Sequence, residues 1–132
     1  MPIVEWSARF CLGIEQFDRE HKALVDLINS FYDACATESP VECLSQFYAE
    51  LVEYATYHFR AEEAWMKGHE YLRFAEHKDQ HEYFMREITK MQADFSEGKK
   101  DISLETLSFL IHWLRNHILV ADADYARSTK MR

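Results

Sequence analysis

Apolar side chains recur three and four residues apart through four long stretches of this chain, and nowhere does a run of β-branched residues alternate with polar ones. That period belongs to the α-helix and excludes a sheet. A first helix is expected to open at Asp18, a favoured N-cap, with an inward stripe of Leu24, Ile28, Phe31 and Cys35. Residues 1–17 read as an arm anchored by Trp6 and Phe10. A second helix is expected from Ser39, with Pro40 in the first helical position and Glu42 completing a capping box. Its stripe runs through Leu44, Phe47, Leu51, Ala55 and Trp65 to a stop at Gly68.

A third helix is expected from about Tyr71 to Ser96, with Phe74, Phe84, Ile88, Met91 and Phe95 inward and the EGKKD segment as its breaker. The fourth starts near Ser103, where Ile102 and Leu107 hold the positions of a hydrophobic staple, and continues through Leu110, Leu114, Ile118 and Tyr125. Rods of roughly 20 residues are about 30 Å long, and short connections leave consecutive rods antiparallel. The expected fold is therefore all-α: an up-down-up-down antiparallel four-helix bundle with an N-terminal arm. It forms a single domain, 1–132, made of the arm 1–17, the bundle 18–125 and a C-terminal tail 126–132.

Composition narrows the function classes. With 132 residues, 48% of them hydrophobic, the chain builds a core without covalent staples. Cys11, Cys35 and Cys43 show no C-x-x-C spacing and read as structural, reduced thiols rather than zinc ligands. A net charge of -8 speaks against a nucleic-acid partner. No apolar run approaches the ~20 residues of a membrane span, and MPIVEWSARF lacks the features of a secretory signal, so the expected location is the cytoplasm, without membrane insertion.

The inward stripes carry an anomaly. His21 lies one turn before Leu24; His58 and Glu62 follow Ala55; His77 and His81 stand between Phe74 and Phe84; His117 continues the last stripe, with Asp122 five residues on. His112 and His69 do not fit a stripe and read as solvated, as do Arg60 and Glu63 beside the second one. Five unpartnered histidines and two carboxylates in one core would each cost about 1 to 3 kcal/mol, a total comparable to the stability of a domain. A metal site removes that cost. Seven such donors are too many for one ion, so two are implied, and nitrogen and oxygen donors without sulfur suit iron, manganese or zinc. The ferritin-like Glu-x-x-His pattern and the protease His-Glu-x-x-His pattern are both absent.

Around these residues stand FDREHKALVDLIN, HFRAEEAWM, YLRFAEHKDQHEYF and WLRNHILVADADY, in that order and over nearly the whole chain. In them the chain resembles the bacterial hemerythrins. The resemblance implies a non-haem di-iron centre with an oxo or hydroxo bridge. His77, His81 and His117 would bind one iron, His21 and His58 the other, and Glu62 and Asp122 would bridge both, leaving an open position for dioxygen. Glu20, where many relatives carry glutamine, and Ala121 and Ala123 around Asp122 are departures expected to touch no ligand. The implied function is reversible dioxygen binding for carriage, storage or delivery to an oxygen-consuming enzyme. The alternatives are an enzyme reducing peroxide or nitric oxide, or a stand-alone sensor or iron store. Binding is preferred over catalysis because no inward acid or base beyond the ligands is evident, and because the sequence stops soon after the fourth helix, without an output domain. Leu114, one turn before His117, is expected to wall an oxygen pocket with Trp113 and Ile118.

Overall fold

The computed structural model describes residues 4–37, 41–99 and 102–130. Helix α1 is Glu15–Ala36, α2 is Val41–Gly68, α3 is Phe74–Ser96 and α4 is Ile102–Asn116. A π-helical segment, His117–Asp122, follows without a break and leads into α5, Ala123–Lys130, so that α4, this segment and α5 form one rod. Helix α1 packs on α2, α2 on α3, α3 on α4 and α4 back on α1, which is the ring of neighbours of a four-helix bundle. Among the described residues there is no strand, and no helix is long and apolar enough to cross a membrane.

Helix boundaries differ from the expected ones where turn chemistry intervenes. Helix α1 starts at Glu15 rather than Asp18, because the chain turns at Gly13, whose φ of 82° suits glycine. Asp18 therefore sits one turn inside, and its carboxylate reaches back to accept the N–H groups of Leu12 at 2.6 Å and Gly13 at 3.1 Å. Of the proposed capping box, Ser39 and Pro40 lie outside the described residues, as does the side chain of Glu42. Helix α2 does end at Gly68, but the left-handed residue is Glu70, with φ 52°. Tyr71 belongs to the following turn and not to α3, since its hydroxyl is held by the Asp124 carboxylate. Helix α3 closes in a Schellman motif: Gly98, at φ 77°, donates to the Phe95 carbonyl, and Lys99 donates to that of Asp94. Ile102 is already helical, so it does not hold the staple position before the helix, although it and Leu107 are both buried.

Three apolar clusters divide the bundle along its length. At one end Leu12, Ile14, Phe17, Met66, Tyr71 and Tyr125 pack together; at the other are Phe31, Tyr48 and Leu107, with the Tyr48 and Thr106 hydroxyls 2.7 Å apart. The large middle cluster includes Leu24, Ile28, Leu51, Phe59, Phe84, Leu110 and Leu114. On α2 the buried stripe is Tyr48, Leu51, Ala55, Phe59 and Met66, while Leu44, Phe47 and Trp65 are only half-buried. The arm folds onto this core: Val4 is clamped by the Asn29 amide, which both accepts its N–H and donates to its carbonyl at 2.9 Å, and Trp6 stacks on buried Phe10. The three cysteines are free, Cys11 and Cys43 on the surface, so only Cys35 has a packing role.

Candidate metal centre

Between the middle cluster and the Phe17 end, each rod turns polar side chains inward, and all seven expected residues meet there fully buried. His21 comes from α1, His58 and Glu62 from α2, His77 and His81 from α3, and His117 and Asp122 from the π-helical segment. That segment explains a spacing that a regular α-helix would not allow. Residues five apart in an α-helix point about 140° away from each other. Here Ala123 donates to the carbonyl of Ile118, an i→i−5 bond, and the widened turn brings Asp122 to the side of His117.

The Nε2 atoms converge on the two carboxylates. His58 and His81 lie 3.2 and 3.4 Å from Glu62 Oε1, and His21 lies 3.3 Å from Glu62 Oε2. His77 and His117 lie 2.8 and 3.0 Å from Asp122 Oδ1, and His21 lies 3.2 Å from Asp122 Oδ2. Two overlapping donor groups result: Glu62, His77, His81, His117 and Asp122 in one, and His21, His58, Glu62 and Asp122 in the other. Both carboxylates belong to both groups, as bridging ligands must.

Several of these atoms are close to one another without hydrogen-bonding geometry. His21 Nδ1 and Nε2, Glu62 Oε1, His77 Nε2 and both oxygens of Asp122 are buried with no hydrogen-bond partner. Lone pairs aimed at a common centre rather than along N–H directions are what cation ligation requires, so the residues present fit a pair of metal ions. Charge tells the same story. Burial works against a charge on His21, but Asp122 and Glu62 outweigh it and lift its pKa to about 10. Burial is likewise outweighed at His58, chiefly by Glu62, and its pKa rises to about 9. Glu62 stays ionised against burial because of His58, His21 and His81, while burial pushes His117 down toward the neutral ring. The metal-free site holds protons where ions fit.

Four residues around the ligands escaped the sequence reading. Glu20, expected to touch no ligand, is buried with Oε1 2.7 Å from His58 Nδ1. Glu63, expected in solvent, lies 2.8 Å from His81 Nδ1, and Gln80 Oε1 lies 2.8 Å from His117 Nδ1. Tyr125, read as one more apolar residue of its stripe, donates its hydroxyl to Glu62 Oε2 at 2.7 Å, and burial, first, keeps that phenol protonated. Inward acids beyond the seven candidate ligands therefore do exist. A signal was available: Glu20, Glu63 and Gln80 each stand next in sequence to a ligand.

The remaining residues fall as follows. His112 and Arg60 are exposed, whereas His69 is half-buried, stacked on Trp65 and bonded through Nδ1 to its carbonyl. Leu114 and Ile118 are 1% exposed in the middle cluster beside the site. Trp113 lies flat on His117, 4.2 Å between ring centres, and faces a surface groove of about 610 Å³ that it lines with Gln80, Tyr83 and Val120. Phe59 lies flat on His81 in the same way, at 4.0 Å.

The Hemerythrin HHE cation binding domain family matches residues 12–127. A bacteriohemerythrin of Methylococcus capsulatus is 32% identical over 126 residues, covering 95% of each chain. One from Pseudomonas aeruginosa is also 32% identical, over 95% of this chain and 80% of that one. The crystal structure of wild-type hemerythrin aligns with a TM-score of 0.88 at 28% identity, covering 95% of this chain and 96% of that one. A family match spanning most of the sequence, and a site whose donors divide into two bridged groups, together establish that this chain belongs to the hemerythrin family.

Proposed function

We propose that His77, His81 and His117 hold one iron and His21 and His58 the other, with Glu62 and Asp122 bridging, and that the pair binds dioxygen reversibly for carriage, storage or delivery. Oxygen binding at a di-iron centre is the property of the hemerythrin family, and the chain carries a cluster suited to two ions. The observation that carries the ligand assignment is the sharing of both carboxylates between the two donor groups. In this reading residues 1–132 act as one domain in the cytoplasm, and an oxygen-consuming enzyme is the recipient in delivery.

When bound, the iron pair supplies the electrons and the open coordination position that dioxygen needs. The chain supplies the surroundings. Tyr125 holds Glu62 through its hydroxyl, and Glu20, Glu63 and Gln80 orient three of the histidine rings. Leu114 and Ile118, with Leu24 and Val25 one turn beyond His21, form an apolar wall that keeps water from the bound gas.

The second reading, an enzyme that reduces peroxide or nitric oxide, gains from Tyr125, a buried phenol whose hydroxyl reaches Glu62 at the site. Anaerobic reduction of the iron-loaded protein followed by oxygen titration separates the two. A binder takes up oxygen stoichiometrically and returns it under argon; sustained turnover with peroxide or nitric oxide marks an enzyme.

A further inference from the structure

The three outer partners of the ligand histidines follow one rule. Glu20 of α1 receives His58 of α2, Glu63 of α2 receives His81 of α3, and Gln80 of α3 receives His117 at the start of the π-helical segment. Each stands beside a ligand in sequence: Glu20 beside His21, Glu63 beside Glu62, Gln80 beside His81. Consecutive helical residues point about 100° apart, so the neighbour of an inward ligand points sideways, toward the adjoining helix. No such brace runs from the fourth rod back to α1, since His21 Nδ1 is buried with no hydrogen-bond partner.

We propose that Glu20, Glu63 and Gln80 are positioning residues that brace the site from helix to helix, and that the two carboxylates among them strengthen iron binding and favour the ferric over the ferrous pair. The proposal rests on the assignment of the histidines as iron ligands. A histidine bound to metal through Nε2 keeps its proton on Nδ1, and a carboxylate accepting that N–H makes the ring a better electron donor than an amide oxygen does. A fixed negative charge in a buried site also lowers the energy of the more highly charged metal state, with little screening by water.

The geometry distributes the carboxylates evenly. His58 belongs to the donor group of His21, and His81 to that of His77 and His117, so each iron has one carboxylate-backed ring. Glu20 is 8% exposed at its side chain and is itself held, as the Gln16 amide donates to its second oxygen at 2.9 Å. The Glu63 side chain is 22% exposed, so its charge is better screened and its effect smaller. Gln80, on an exposed position, marks the one brace in the ring without charge.

The test uses the iron-loaded full chain, four single variants, Glu20→Gln, Glu63→Gln, Gln80→Glu and, as a control on the surface of α4, Glu105→Gln, and the double variant of the first two. Two quantities are read, the loss of iron to a competing chelator and the midpoint potential of the pair. All four changes keep side-chain length, and circular dichroism of the metal-free forms verifies folding. Glu20→Gln is expected to weaken iron retention about tenfold, the lower end of the range for outer partners of metal ligands, and to make the potential more positive. Glu63→Gln moves both quantities the same way by less, the two effects add in the double variant, and Gln80→Glu moves the potential the opposite way. Glu105→Gln matches the parent. A potential unchanged in Glu20→Gln, or shifted in the same direction by Gln80→Glu, overturns the proposal whatever happens to iron retention. A parent chain that binds no iron overturns the ligand assignment and the brace together, whereas two irons in the parent with inert variants overturn the brace alone.

Discussion

His117 and Asp122 stand five residues apart in the chain and 3.0 Å apart across Nε2 and Oδ1, a pairing that the π-helical segment makes possible. In a regular α-helix the residue facing His117 from the following turn would be Ala121. Moving the carboxylate there, by Asp122→Ala with Ala121→Asp, is therefore expected to leave the iron content as low as Asp122→Ala alone. Recovery of two irons per chain by elemental analysis would show that the segment is a plain α-helix.

Glu62 and Asp122 each serve both donor groups. Glu62→Ala or Asp122→Ala should accordingly lower the content of both irons, whereas exposed His112→Ala leaves it at the parent value. Iron loss in the His112 variant would mean that the face of α4 has been assigned wrongly.

Metal loading should release protons. With pKa values of about 10 and 9, His21 and His58 are charged at pH 7 in the metal-free protein and must give up those protons to bind metal. An indicator dye in weak buffer is expected to record at least about two protons per chain. Both values are raised above the unfolded value of 6.5, so the stability they contribute to the metal-free fold is fully present below pH 6.5 and lost as the pH rises through 9 and 10. Urea midpoints of the metal-free protein should fall over that window, and loading without proton release would contradict the charge assignment.

Removing the metal should also lower stability outright. Among the buried ligand atoms without hydrogen-bond partners, those that no protonated histidine compensates each carry a desolvation cost of about 1 to 3 kcal/mol once no cation offsets it. Chelator-treated protein is expected to unfold at lower urea than the loaded form at pH 7. Equal midpoints would show that the site is relieved in some other way, such as by bound water.

Leu114, 1% exposed and one turn before His117, tests the apolar wall. Leu114→Ala should cost about 2 to 5 kcal/mol of stability, as a core truncation does, and should also speed the decay of the oxygen-bound visible absorption. The proper comparison is Leu107→Ala, buried in the far cluster with Phe31 and Tyr48, because Leu44 is only half-buried. Equal decay in both variants would reduce Leu114 to packing.

Amphipathic periodicity is a property of each segment by itself, so the sequence alone determined four helices, their antiparallel order and the inward direction of His21, His58, Glu62, His77, His81 and His117. An unpartnered polar side chain on an apolar stripe is visible without knowing what lies opposite. Whatever depends on a second helix was decided only by tertiary structure. Which histidines fall in one donor group follows from how the rods are placed round the bundle, and Glu20, Glu63 and Gln80 look like solvated flanks until the adjoining helix brings His58, His81 and His117 to them. Asp122 lies between these cases. Its spacing from His117 is written in the sequence, but the π turn that makes the spacing work is a costlier backbone, retained where packing and ligation on both sides favour it.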